Sequence, residues 1–170
     1  MTGQSAEIWS PAIGAAGTVI RYGHFGRPVL VFASEQGRAQ DFEANGMVDA
    51  VAGLLAAGRV KLYCVDSFDA ASWNGWGERG NEAYFNNPLD YVGHLSGDHL
   101  DWLRGQLSLL LVCGQGQWED TTGSLASTRR FAALLAEQGI RHELDLWGYD
   151  VPHDWPSWRV QLAHHLPRFC

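Results

Sequence analysis

Residues 107–113 read Leu-Ser-Leu-Leu-Leu-Val-Cys and stop at Gly114-Gln115-Gly116. A short run this apolar fits a strand covered on both faces, as a parallel sheet requires, and the glycines end it in a tight turn. Val29-Leu30-Val31-Phe32 repeats the pattern, entered by Arg27-Pro28 and left by the polar loop Ala33-Ser34-Glu35-Gln36-Gly37-Arg38. Residues 17–22 and 60–66 supply two more strands, with Gly23-His24-Phe25-Gly26 as the turn after the first of them. Residues 142–147 alternate in polarity, as an edge or half-exposed strand does.

Helical spacing fills the intervals. Met47, Val48, Val51, Leu54 and Leu55 predict a helix over 41–57, with Gly58 placed for a left-handed cap. Leu125, Thr128, Phe131, Leu134 and Leu135 predict another over 124–138, stopped by Gly139. A last helix opens near Pro156 and buries Trp158, Leu162 and Leu166. The expected fold is α/β: a single domain over 1–170, built as a three-layer α/β/α sandwich around a mostly parallel sheet of about five strands. Between 67 and 105 the alternation breaks. Asn74-Gly75-Trp76-Gly77-Glu78-Arg79-Gly80 has loop composition, and only a short helix near 98–103 is expected there.

The charge of −7 argues against nucleic acid or an anionic membrane surface as partner, because either needs a basic face. No apolar run approaches the ~20 residues that cross a bilayer, and residues 1–10 lack the basic start and apolar stretch of a secretory signal. The cysteines Cys64, Cys113 and Cys170 are odd in number and lack CxxC spacing, which points to free thiols and a cytoplasmic setting. Cys64 and Cys113 sit inside apolar runs and read as core residues.

Ligands of open α/β sheets gather beyond the carboxyl ends of the strands. Three loops qualify here: 34–38, 115–122 and 148–158. They hold Glu119, Asp120 and His153. An acid after one strand and a His after the next match the last two places of the Ser, acid, His order of α/β-hydrolases. Each residue has a plainer reading. His153 can be a structural imidazole bonded to Asp150 or Asp154, Asp120 can cap the helix that follows, and Ser34 and Gly37 can form an ordinary turn. His94 and His99 beside Asp98 and Asp101 lack the spacing of a zinc motif and read as solvated residues of a short helix. The His164-His165 pair reads as surface. Trp73, Trp76, Trp118, Trp147, Trp155 and Trp158 are candidates for an apolar acyl or ring-binding cleft or for ordinary core.

Tyr84-Phe85-Asn86-Asn87-Pro88-Leu89-Asp90-Tyr91, then the stretch from Leu111 to Asp120, then the stretch from Asp145 to Trp158 with its His153-Asp154-Trp155 element, resemble the putative-esterase family. That family contains esterase D and the mycolyltransferase-like proteins, and the likeness runs over nearly all of the chain. It implies a carboxylic-ester hydrolase that acts on a small-molecule ester, without cofactor or metal. Position by position it makes His153 the general base and Asp120 or its neighbour Glu119 the acid. Asp120 is preferred because it ends the strand-loop motif. It also places one oxyanion-hole amide near Gln36 or Gly37, with Trp118 and Trp155 on the substrate side.

One element of the family pattern is missing. No G-x-S-x-G occurs, and Ser67, Ser72 and Ser96 lack flanking glycines at that spacing. What is absent amounts to about two βα units, which reads as an internal deletion. Ser67 directly follows strand residues, as an elbow serine does, but Phe68 follows it where a glycine would relieve the strained turn. Two expectations follow: a hydrolase with acid and base but impaired turnover, or a non-catalytic pseudoenzyme that keeps the fold for binding. Loss of the middle strand should bring the Phe32 and Cys113 strands together or leave buried edges open, and an open edge invites a homo-oligomer.

Overall fold

The computed structural model describes residues 2–11, 14–34, 36–67 and 87–170. The chain divides into two compact units, Met1–Asn74 with Trp158–Cys170, and Gly75–Ser157.

The first unit holds β1 (Gln4–Ser10), β2 (Ala15–Tyr22), β3 (Arg27–Phe32) and β4 (Val60–Val65) in one sheet of order β1-β2-β4-β3. β1 pairs antiparallel with β2, β2 antiparallel with β4, and only β3 with β4 is parallel. The expected mostly parallel sheet of about five strands is therefore corrected: among the described residues the main sheet has four strands and is mostly antiparallel. Two features account for the difference. β1 reads Gln-Ser-Ala-Glu-Ile-Trp-Ser and is exposed at nearly every position, so its stability comes from ladder hydrogen bonds to β2 and leaves no hydropathy signal. The turn at 23–26 does follow β2, but the strands that it joins do not pair, because β4 lies between them. Gly26 makes that crossing possible. At φ +110 it passes so close to Arg59 and Val60 that a Cβ there would strike their backbone.

One face of this sheet carries Ile20, Tyr22, Val60, Leu62 and Cys64, all buried against Val48, Val51, Leu55 and Leu166. The helix expected over 41–57 is three short pieces: α1 (Asp41–Ala44), α2 (Met47–Ala50) and α3 (Ala52–Ala56). Gly46 at φ +74 and Val51 at φ −119 break the helical path between them. Gly58 does take the left-handed conformation at φ +64, as expected. Tyr22 is fully buried, and its hydroxyl donates to Glu43 Oε2 at 3.0 Å. Burial and the neighbouring carboxylate push that phenol above its ordinary range.

In the second unit, α4 (Pro88–Tyr91), a 3₁₀ turn (Val92–His94) and α5 (Gly97–Gln106) precede β5 (Ser108–Cys113), α6 (Ser124–Glu137) and β6 (Arg141–Leu146). Within the irregular stretch expected at 67–105, the short helix expected near 98–103 is α5, and α4 and the 3₁₀ turn add helical pieces ahead of it. Asn87 Oδ1 accepts from Leu89 N at 3.2 Å to cap α4, with Pro88 in the first turn. Its first half, with Ser72, Trp73, Trp76 and residues 84–86 of the family-like segment, lies outside the described residues, as does most of the expected deletion junction. β5 and β6 run parallel, Ser108 opposite Arg141 through Cys113 opposite Leu146, joined by α6 as a βαβ crossover. Leu135 and Ile140 pack with Val92 and Leu100 into a core of the unit's own.

Among the described residues β3 pairs only with β4 and β5 only with β6, in separate sheets. α7 (Trp155–His165) and a 3₁₀ turn (Leu166–Phe169) end the chain. His165, expected at the surface, is 6% exposed, with the His164 ring edge-on to it at 4.7 Å. No helix among the described residues is long and apolar enough to cross a membrane.

Candidate active site

The site in the second unit begins where β5 and β6 end, because their ladder continues into the loops. Trp147 N–H donates to the Cys113 carbonyl at 2.9 Å, Gln115 N–H to Gly148 at 3.3 Å, and Gly116 N–H to Val151 at 2.9 Å. His153 N–H closes the series on the Gln117 carbonyl at 3.0 Å. So tight a contact of two loops needs glycine. A Cβ on Gly114 or Gly116 would collide with the Val151 carbonyl.

The chain then reverses at Trp118, which takes φ +70, a left-handed conformation costing a non-glycine residue roughly 1–2 kcal/mol. The Trp118 carbonyl holds the reversal by accepting from Thr122 N at 3.0 Å and Thr122 Oγ1 at 2.7 Å. The next side chain, Glu119, folds back beneath the loop and is 2% exposed. Its Oε1 accepts from Gly114 N–H at 3.2 Å, and its Oε2 lies 3.0 Å from His153 Nδ1 and 3.4 Å from Cys113 Sγ. A carboxylate only accepts, so Nδ1 carries the proton and Nε2 carries the lone pair of the neutral ring. A buried carboxylate left unpaired is costly, and this one has three donors.

The carboxylate that meets the imidazole is therefore Glu119 and not the preferred Asp120, which is exposed. Asp120 does not cap the following helix either, since α6 begins at Ser124 with Gly123 before it. The loop continues past position 118 with its direction reversed, so the inward position is 119. Asp154 Oδ1 accepts from Ser157 N at 2.9 Å at the start of α7. Trp118 is 49% exposed, beside the pair in sequence, and Trp155 is half-buried. Cys113, Gly114 and Gly116 were read from the sequence as strand end and turn alone. The signal that could have marked them is the pair Gly114 and Gly116 between the strand end and the acids at 119 and 120.

In the first unit, Gly37 N–H donates to the Ser34 carbonyl at 2.8 Å with Gln36 at φ +55, so this loop contains the turn of the plainer reading. Ser67 N–H donates to the Gly37 carbonyl at 3.0 Å, which ties the segment after β4 to the loop after β3. Asp66 secures the same region, its Oδ1 accepting from Ala39 N at 2.9 Å and Oδ2 from Thr18 N at 2.7 Å. Burial works to raise that carboxyl's pKa. The two N–H groups and the charge of Arg38 overcome it and hold the group below its ordinary range. No cluster of three or more His, Cys, Asp or Glu among the described residues is arranged to hold a metal ion.

No protein-family model matches the chain, and no curated protein does. Solved structures match it. A ferulic acid esterase superposes with a TM-score of 0.70 at 12% identity, covering 98% of this chain and 97% of that one. The fold is esterase-like. An S-formylglutathione hydrolase from Staphylococcus aureus superposes with a TM-score of 0.61 at 10% identity, covering 98% of this chain and 95% of that one. The resemblance read from the sequence is matched here at the level of the fold.

Proposed function

We propose that this chain is a carboxylic-ester hydrolase-like protein whose acid–base pair is Glu119 and His153, acting on a small-molecule ester without cofactor. The observation that carries the reading is the buried carboxylate 3.0 Å from His153 Nδ1. It fixes the ring orientation and the tautomer in which Nε2 can take a proton, as the acid of a hydrolase triad does. The chain lacks a recognisable elbow serine. In the reading proposed here Nε2 removes a proton from water, the water oxygen adds to the ester carbonyl, and the imidazolium returns the proton to the departing alkoxide. Turnover by this route is slow, because no covalent intermediate divides the barrier. Trp118 and Trp155 against the substrate belong to the same proposal, as does an internal deletion as the origin of the missing elbow.

Hydrolysis of p-nitrophenyl acetate by the full chain tests it. Turnover is expected, and His153→Ala abolishes it. Turnover unchanged by His153→Ala, or none above the rate of the free imidazole reaction, sinks the reading. A fluorophosphonate probe separates water from a serine as nucleophile: the water route leaves the chain unlabelled, while covalent labelling at Ser67 or Ser72 would replace it.

A further inference from the structure

The buried side of the Glu119–His153 pair contains a thiol that the hydrolase reading leaves unused. Cys113 closes β5, is 6% exposed, and places Sγ 3.4 Å from Glu119 Oε2. That oxygen is the one that faces His153 Nδ1 at 3.0 Å, while Oε1 is held by Gly114 N–H at 3.2 Å. Because a carboxylate has no proton to give, the proton in the 3.4 Å contact belongs to sulfur. The thiol keeps it through the neutral range. Burial first, then the hydrogen bond and charge of Glu119, push it up to about 11, while Thr128 and Arg129 of α6 pull weakly the other way. A glutamate side chain turns about three bonds, and apart from the imidazole that it must orient, Gly114 N–H at Oε1 alone would leave the second oxygen able to swing. Two donors from adjacent residues, one on each oxygen, remove that freedom.

We propose that Cys113 is a positioning residue of the acid–base pair, its S–H holding Glu119 Oε2 at the point where His153 Nδ1 meets it. The consequence for catalysis rests on the hydrolase reading; the hydrogen bond and its effect on the imidazole do not. An ordinary core cysteine would act through its volume alone, and the two roles differ in what a serine can replace.

The test uses the full chain with Cys113→Ala, which removes the donor, and Cys113→Ser, which keeps one. Proton NMR of the His153 Nδ1–H is expected to give a downfield, slowly exchanging resonance in the parent chain and in Cys113→Ser. In Cys113→Ala it moves upfield and exchanges faster. In the ester assay Cys113→Ala lowers kcat about tenfold with KM within about twofold, and Cys113→Ser restores most of it. The infrared difference between the parent and Cys113→Ser isolates the Cys113 S–H band, expected at the low frequency of a strongly hydrogen-bonded thiol. A band at the free-thiol position overturns the proposal, even where Cys113→Ala does not fold. So does an Nδ1–H resonance that Cys113→Ala leaves in place, or one that serine disturbs as much as alanine. A parent chain without ester turnover defeats the hydrolase reading, while the two spectra still decide the role of the thiol.

Discussion

Glu119 and Asp120 are adjacent carboxylates with opposite fates, one 2% exposed and the other exposed to solvent. Their variants should differ accordingly. Glu119→Gln keeps the shape but no longer requires the proton on Nδ1, and ester turnover is expected to fall by about a hundredfold or more. Asp120→Asn should leave kcat/KM within about twofold; a larger loss in Asp120→Asn than in Glu119→Gln would reverse the assignment of the acid. Trp118 separates strain from contact. Trp118→Gly relieves the backbone at φ +70, so thermal melting should show stability unchanged or raised, by up to ~1 kcal/mol. With the indole gone from the place against the substrate proposed for it, KM for aryl esters should rise. A lowered melting temperature with unchanged KM would show that the ring serves packing instead.

At the scale of elements, a single carboxylate joins three of them. Asp66, just past β4, accepts from Thr18 in β2 and from Ala39 ahead of α1. Its pKa is lowered in the folded chain, so its contribution to stability is fully present above the ordinary carboxylate range near ~4 and is lost as pH falls through the folded value. Asp66→Asn is expected to lower the unfolding midpoint at pH 7, and denaturant titrations should show the gap to the parent closing under acid conditions. A gap that stays constant with pH would assign the effect to geometry alone. The β3 edge poses a different question. Leu30 is 56% and Phe32 75% exposed on a strand with one partner among the described residues. Such an edge is a template for another strand unless charge discourages it. A second copy of this chain is the proposed partner. Size-exclusion chromatography should show a dimer that Leu30→Lys with Phe32→Lys returns to monomer; a parent chain that elutes as monomer at high concentration excludes it.

At the scale of the molecule, the described residues form two hydrophobic cores, one around Leu55 and Leu62 and the other around Leu135 and Leu100. Leu55→Ala and Leu135→Ala each empty a site at most 1% exposed, and each should cost about 2–5 kcal/mol. Hydrogen exchange should rise first in the unit that carries the substitution, and uniform acceleration over both would show one cooperative core. Most of β2 to β6 could be read in advance because apolar or alternating runs bounded by glycine or proline mark strands, although the exposed Leu30 and Phe32 show that such a run does not by itself report burial. The same is true of Gly58 and Gly139, since only a residue without Cβ takes the left-handed turn at little cost. The motif singled out His153, and the structure places it against Glu119. What local pattern could not carry was anything decided by residues far apart in the chain. β1 has no apolar face to reveal it, and the insertion of β4 between β2 and β3 depends on a crossing at Gly26. The helix over 41–57 had the right period but not the continuity. The choice of Glu119 over Asp120 rests on a chain reversal at Trp118 and on a loop 34 residues away in sequence. Hydropathy and spacing record what each residue needs, burial or solvent, and so determined the strands, helices and candidate chemistry. Strand order and the pairing of one carboxylate with one imidazole depend on which distant groups can satisfy those needs together, and only packing in three dimensions decides that.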